Sequence, residues 1–262
     1  MSLQAQVKNL LSFEEAFDEL KLKFVKEEVE CGLDRSLQTY SCGEGKTVVF
    51  LHGAASSWWC FRWQYAAICD NFRIVAPNLR GHGGSKWFHT DSLEDFYADI
   101  CNWFEKMNFK EPIVLVGHSL GGYLGARYCA DHPDKVEKLV LMSTCGNLEN
   151  SFARSFCELC WPGADLVHRL FPRLVGIDSG MAENLVKIVF PQWDCWHIYE
   201  KVKAQTMIIL GLFDPLISIE NGRRMADLIP NSRLNVISCG GHNPQLDHGE
   251  EVADLLKEFL KA

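Results

Sequence analysis

No apolar run in this 262-residue chain approaches the roughly 20 residues that a helix needs to cross a bilayer. Excess positive charge is missing too. Lys and Arg number 26 against 34 Asp and Glu, for a formal charge of −8. The clustered cations that hold nucleic-acid phosphates or an anionic membrane surface are therefore not expected. The opening stretch MSLQAQVKNLLSFEEAFDEL lacks a basic segment followed by an apolar core, so it does not read as a secretory signal. Residues 1–20 are expected to form a helical extension. A regular cysteine framework is also absent. The 11 cysteines are odd in number and scattered without a repeating interval, which suits reduced thiols packed as small hydrophobes in a cytoplasmic protein. Cys157 and Cys160 are the one close pair. Neither a second pair for zinc nor a following strand–helix–strand context for redox chemistry accompanies them. No metal site and no cofactor is expected.

What the chain does have is a core: 47% of its residues are apolar and 23% charged, an ordinary globular balance. Apolar runs of the kind buried on both faces of a parallel sheet recur at 46–53, 72–79, 112–119, 136–144, 204–214 and 232–241, after a strand pair at 24–31 and 35–42. Helical patterns lie between them at 58–69, 92–107, 120–131, 219–229 and 247–261. In the second, Leu93, Phe96, Ile100, Phe104 and Met107 recur at helical spacing. This alternation predicts an α/β fold, a mostly parallel, doubly wound sheet of about eight strands flanked by helices. The regularity breaks only over 145–203, where Pro162, Pro172, Pro191 and many aromatics occur without a strand pattern. That segment is expected to form a small helical cap inserted after the sixth strand, between core segments 21–144 and 204–262.

Ser119 sits in Gly117-His118-Ser119-Leu120-Gly121, directly after a predicted strand and at the start of a predicted helix. A G-x-S-x-G in that context makes a sharp turn that strains the serine backbone and presents its hydroxyl as a nucleophile. A serine hydroxyl is weak until a base takes its proton. Nine histidines compete for that role. His242, in SCGGHNPQLDH, follows the last predicted strand and so shares the carboxyl edge of the sheet with Ser119, where open α/β sheets bind ligands. Asp214, in MIILGLFDPLIS, follows the preceding strand at that edge and can orient the imidazole.

From about residue 24 to the C-terminus the sequence resembles the α/β-hydrolase family. FLHGAASSWWCF is similar to the family's strand-HG-turn, APNLRGHGGS to its next strand and turn, VGHSLGGYLG to its nucleophile elbow, and LGLFDPLIS with GGHNPQLDHGEEVADLLKEFL to its acid and base segments. The resemblance implies Ser119 as nucleophile, His242 as base and Asp214 as orienter, with the backbone N–H groups of Ala54 and Leu120 as the oxyanion hole. One departure is Asn78, which stands where many relatives have aspartate, at a position that is generally structural.

The serine nucleophile excludes the carboxylate attack of epoxide hydrolases and dehalogenases of this fold. Asn243-Pro244, where ring-cleavage C–C hydrolases often carry tryptophan after the histidine, speaks against that activity. The expected function is hydrolysis of a small, mostly apolar carboxylic ester or thioester, with a small-molecule acyl ester or thioester as partner and neither nucleic acid nor a membrane span. The alternative from another class is a small-ligand receptor on a hydrolase scaffold, and a C–C bond hydrolase is a lesser one. Pocket candidates are Trp58, assigned either to the pocket wall or to the core, together with His118, Cys145, Trp161, Trp193 and Trp196. His52 and His82, each before a glycine in a tight turn, are expected to hydrogen-bond backbone rather than to act on substrate.

Overall fold

The computed structural model describes residues 22–32, 35–86, 91–148, 177 and 179–262. The extension expected over 1–20, about half of the expected cap, the Cys157/Cys160 pair and Trp161 lie outside these residues. Eight strands form one sheet: β1 Val25–Gly32, β2 Arg35–Cys42, β3 Lys46–Leu51, β4 Phe72–Pro77, β5 Ile113–His118, β6 Val136–Met142, β7 Gln205–Gly211 and β8 Ser232–Ile237. Their spatial order is β1-β2-β4-β3-β5-β6-β7-β8. β2 runs antiparallel to both its neighbours, and every other pairing is parallel.

Period-two alternation gives the sheet two buried faces. Val49, Leu51 and Leu115 join the core on one side, while Val48, Phe50, Val114 and Val116 join the core on the other. On the first side lie α2 (Leu93–Met107) and α3 (Leu120–Asp131), and on the second α1 (Arg62–Ile68) and the C-terminal helix Gly249–Lys261. The C-terminal helix sets Val252, Leu256 and Phe259 against the sheet, a spacing that aligns them on one helical face. Lys138 is buried in β6 because its ammonium reaches the last carbonyls of that helix, donating to Phe259 at 2.8 Å, a favourable place for a cation. Among the described residues no helix is long and apolar enough to cross a membrane.

The chain goes from β3 sideways to β4 and then returns past β3 to β5. The strand order therefore reverses between β3 and β5, which opens a crevice at their carboxyl ends. Several strands stop earlier than the apolar pattern implies. β7 ends at Gly211 rather than 214, and β8 at Ile237 rather than 241. Beyond Gly211, Leu212 and Phe213 turn out to solvent while their N–H groups bond Ile237 and Gly240 carbonyls. Apolar residues thus continue past the ladder into the loops at the crevice.

Between β6 and β7 the described part of 145–203 comprises α4 (Ser179–Asn184), a π-helical stretch Leu185–Val189, a 3-10 turn Phe190–Gln192 and α5 (Trp196–Tyr199). It is tied to the core by polar contacts: Asn184 donates to the Asp91 carbonyl at 2.7 Å, and Gln192 accepts the Leu93 N–H at 3.0 Å.

Candidate active site

β5 ends at His118, and Ser119 opens α3 with φ +49° and ψ −116°. That backbone is strained for a residue with a Cβ, at a cost of about 1–3 kcal/mol. Dense bonding holds it: Ser119 N–H donates to Met142, its carbonyl accepts from Gly122, Tyr123 and the Thr144 hydroxyl, all within 3.1 Å. The elbow needs Gly121 because a Cβ there would lie 2.1 Å from the Leu51 carbonyl oxygen. Gly121→Ala is expected to destabilise the protein by about 1–3 kcal/mol or more through overpacking against backbone. A thermal melt equal to wild type would contradict that close approach.

Ser119 Oγ lies 3.3 Å from His242 Nε2, and His242 Nδ1 lies 2.9 Å from Asp214 Oδ2 and 3.1 Å from Oδ1. A carboxylate only accepts, so Nδ1 carries the proton and Nε2 is the free lone pair facing the serine. Asp214 is completely buried while the imidazole is 17% exposed. Burial raises the Asp214 pKa, but the His242 hydrogen bond and charge and the N–H groups of Ile217 and Leu216 outweigh it, and the net shift is downward. Those two N–H groups reach Oδ1 at 3.0 and 2.8 Å. Three segments far apart in sequence thus form one hydrogen-bonded line.

The loop after β3 closes over this line. A Cβ on Gly53 would stand 3.1 Å from Ser119 Cβ and 2.6 Å from His118 Nδ1. Only a glycine lets the backbone pass so near Ser119, and Ala54 follows it directly in the chain. Leu120 is the first residue of α3, so its N–H has no acceptor within the helix.

His118, a pocket candidate, is 2% exposed and bonds the His242 backbone. Its Nε2–H donates to the His242 carbonyl at 2.8 Å, while its buried Nδ1 has no hydrogen-bond partner. Burial, followed by the neighbouring His242 imidazole, pushes the His118 pKa from 6.5 down to about 3. Between those two values the unfolded chain binds a proton that the native state refuses. Stability therefore falls as pH drops from about 6.5 towards 3, by about 1.4 kcal/mol per pH unit for this group. His118→Gln, which keeps a donor without titrating, is expected to flatten that slope. Denaturant titrations between about pH 4 and pH 6 test it, and an unchanged slope would count against a neutral buried His118.

The other described pocket candidates have these surroundings. Trp193 is 2% exposed; its Nε1–H donates to the Cys145 carbonyl at 3.0 Å and its ring packs 5.3 Å from Tyr123. The same carbonyl accepts the Tyr199 hydroxyl at 3.0 Å. Cys145 itself is 1% exposed, with its thiol donating to Asn147 and its pKa pushed up by burial, so it is not a reactive thiol. Trp196 lies against Gly146, where a Cβ would come within 2.0 Å of the indole, under the Arg224 guanidinium at 3.9 Å. Trp58, partly buried, stacks on Tyr40 of β2 at 3.9 Å and packs against the core on the α1 side. Asn78, the departure from the family's aspartate, accepts the Trp58 N–H at 2.9 Å, a task that either residue type can perform.

A buried ion cluster frames the turn after β4, and sequence patterns do not signal it. The Arg80 guanidinium pairs with Asp91 and with Asp99, the latter at 2.7 Å, and donates to the Asp95 carbonyl at 2.9 Å. All three charged side chains are at most 4% exposed. The acids lie on and before α2, so only tertiary packing assembles the set.

Residues 46–159 match the alpha/beta hydrolase fold family. Over 87% of its length the chain is 26% identical to a 2-hydroxy-6-oxononadienedioate/2-hydroxy-6-oxononatrienedioate hydrolase of Pseudomonas putida, of which it covers 93%. It is 25% identical to a pimeloyl-(acyl-carrier protein) methyl ester esterase of Chromobacterium violaceum, over 84% of this chain and 96% of that one. The structure of an esterase from Exiguobacterium antarcticum has the same fold, with a TM-score of 0.78 and 19% identity over 91% of this chain and 100% of that one. The sheet order, the turn at Ser119 and these matches agree, and the chain has the α/β-hydrolase fold.

Proposed function

We propose that the protein is a serine hydrolase that cleaves a small, mostly apolar carboxylic ester or thioester. The observation that carries this reading is the line Ser119 Oγ, His242, Asp214 with contacts of 3.3 and 2.9 Å. In it, Ser119 attacks the acyl carbonyl as His242 Nε2 takes the hydroxyl proton. The imidazolium, stabilised by Asp214, then gives that proton to the leaving alcohol or thiol, and water frees the acid by the same route. The N–H groups of Ala54 and Leu120 receive the negative charge that develops on the carbonyl oxygen, each donor being worth about 10²–10³ in rate. Residues 145–203 act as a cap that shapes the acyl site.

Preference for an uncharged acyl group follows from the fate of Arg80. It is the arginine of the APNLRGHGGS turn, and Asp91 and Asp99 already neutralise it. The Pseudomonas putida relative favours a second reading, C–C bond hydrolysis of a dioate. Two substrate carboxylates would then need cationic partners that Arg80 does not supply. Incubation with a fluorophosphonate followed by mass spectrometry, then a panel of acyl esters of graded length beside a ring-cleavage dioate, tests both. Labelling at Ser119 with ester turnover is expected. Turnover of the dioate alone would favour the second reading, and neither labelling nor turnover would sink both.

A further inference from the structure

Two imidazoles stand behind the loop that bears Ala54, and the reaction as proposed uses neither. His52 and His82 are both fully buried, with ring centroids 5.0 Å apart. His52 donates from Nδ1–H to the Gly53 carbonyl at 2.8 Å and accepts the Leu79 N–H on Nε2 at 2.9 Å. His82 donates from Nδ1–H to the Arg80 carbonyl at 2.7 Å and accepts the Ala55 N–H on Nε2 at 3.1 Å. A carbonyl only accepts and an amide N–H only donates, so both rings are neutral and protonated at Nδ1.

These contacts hold the two peptide planes on either side of Ala54. The Gly53–Ala54 plane is gripped through its carbonyl, by His52 and by the Ser56 N–H at 3.3 Å. Carbonyl and N–H point oppositely in a trans peptide, so this grip also sets the direction of the Ala54 N–H. The Ala54–Ala55 plane is gripped through its N–H, by His82. It is the plane in greater need of holding, because Ala55 has φ +58° at the third position of the Gly53–Ser56 turn. Glycine is the residue that suits such a position, and an alanine there relaxes to negative φ unless something prevents it. His82 in turn hangs on the Arg80 carbonyl, and Arg80 is locked among Asp91, Asp99 and the Asp95 carbonyl.

We propose that His82 is a positioning residue for the oxyanion hole: by accepting the Ala55 N–H it keeps the strained turn in place and the Ala54 N–H aimed at the reacting carbonyl. This rests on the reading of Ala54 as an oxyanion donor in a serine hydrolase. His82 touches no substrate and exchanges no proton. It acts through the loop.

The test compares wild type with His82→Leu, which removes the acceptor, and His82→Gln, whose side-chain carbonyl can replace it. The readouts are kcat and KM for p-nitrophenyl acetate, Ki for a trifluoromethyl ketone that forms an anionic adduct on serine, and Tm. His82→Leu is expected to lower kcat and weaken the ketone by about 10²-fold, the scale of one lost oxyanion donor, with little change in KM. His82→Gln is expected to recover most of both. A merely structural role would lower Tm for both variants without separating kcat from KM. A folded His82→Leu protein with unchanged kcat and Ki overturns the proposal, as does a glutamine variant no better than leucine. Should His82→Leu not fold, nitrogen-15 spectra of the wild type decide. A bare Nε2 on His82 supports the proposal, and a protonated one overturns it. If a fluorophosphonate fails to label wild-type Ser119, the hydrolase reading falls and takes this inference with it. Labelled wild type beside an unaffected variant defeats the inference alone.

Discussion

Ser119→Ala is expected to lower ester turnover by about 10⁶-fold and to remove fluorophosphonate labelling, while the fold survives. The loss follows from how little else at the site could attack. The thiol of Cys145 is buried with its pKa raised, and those of Cys129 and Cys195 are pushed up to about 12. The fold survives because alanine keeps the Cβ that already tolerates φ +49°, and the backbone bonds to Met142, Gly122 and Tyr123 do not involve the hydroxyl. The side chain contributes one hydrogen bond to His242 at 3.3 Å, so stability should change by about 1 kcal/mol at most. Residual turnover over water would come from backbone donors and binding alone. Labelling that persists in the variant, or lands on another residue, would remove Ser119 from the reaction.

Ser119, Asp214 and His242 are legible in the sequence because each belongs to a local pattern with a fixed place on the sheet. The turn at Ser119 needs glycine at 121, and glycine is visible in sequence. Asp214 and His242 each follow an apolar strand at the same edge. Their order along the chain then suffices to bring them together, although the contacts span 123 and 28 residues. Strand count, direction and alternation of helices are legible for the same reason: buried parallel strands are continuous apolar runs. Strand ends are less so, because the crevice loops after β7 carry Leu212 and Phe213, whose hydrophobicity reads as more strand.

Which aromatic side chain faces which space is not legible. Trp193 and Trp196 are three positions apart and alike in composition, yet Trp193 is sealed against Tyr123 and Trp196 lies between Gly146 and Arg224. Trp58 finds Tyr40 on a strand that pairs two places away from its own loop. The support given by His118 to His242 spans 124 residues and ends on a carbonyl, a group that every residue has. No residue-type pattern marks such a bond. The Arg80 cluster escapes for a related reason, since acids on an amphipathic helix ordinarily read as solvent-facing.

Asp214→Asn is expected to lower turnover by about 10⁴-fold with little loss of stability. Asparagine has the same shape, and its carbonyl can still accept the Leu216 and Ile217 N–H groups that now reach Oδ1 at 2.8 and 3.0 Å. That leaves the amide NH₂ facing His242 Nδ1. Two donors cannot share a bond, so the imidazole moves its proton to Nε2 and can no longer accept one from Ser119. Asp214→Ala separates the two duties of the carboxylate. It loses turnover as well, and it also leaves two part-buried N–H groups without their acceptor, at about 1 kcal/mol each. The acid end of the stability curve gives a further check. Because the Asp214 pKa is lowered from 3.8 in the folded state, its contribution is present above that value and is lost as pH falls through the lower one. The asparagine variant has no such loss, so its stability should decline less steeply below about pH 4. Turnover within tenfold of wild type in Asp214→Asn, with Ser119 still labelled, would show that the imidazole is held in its working tautomer by something other than this carboxylate.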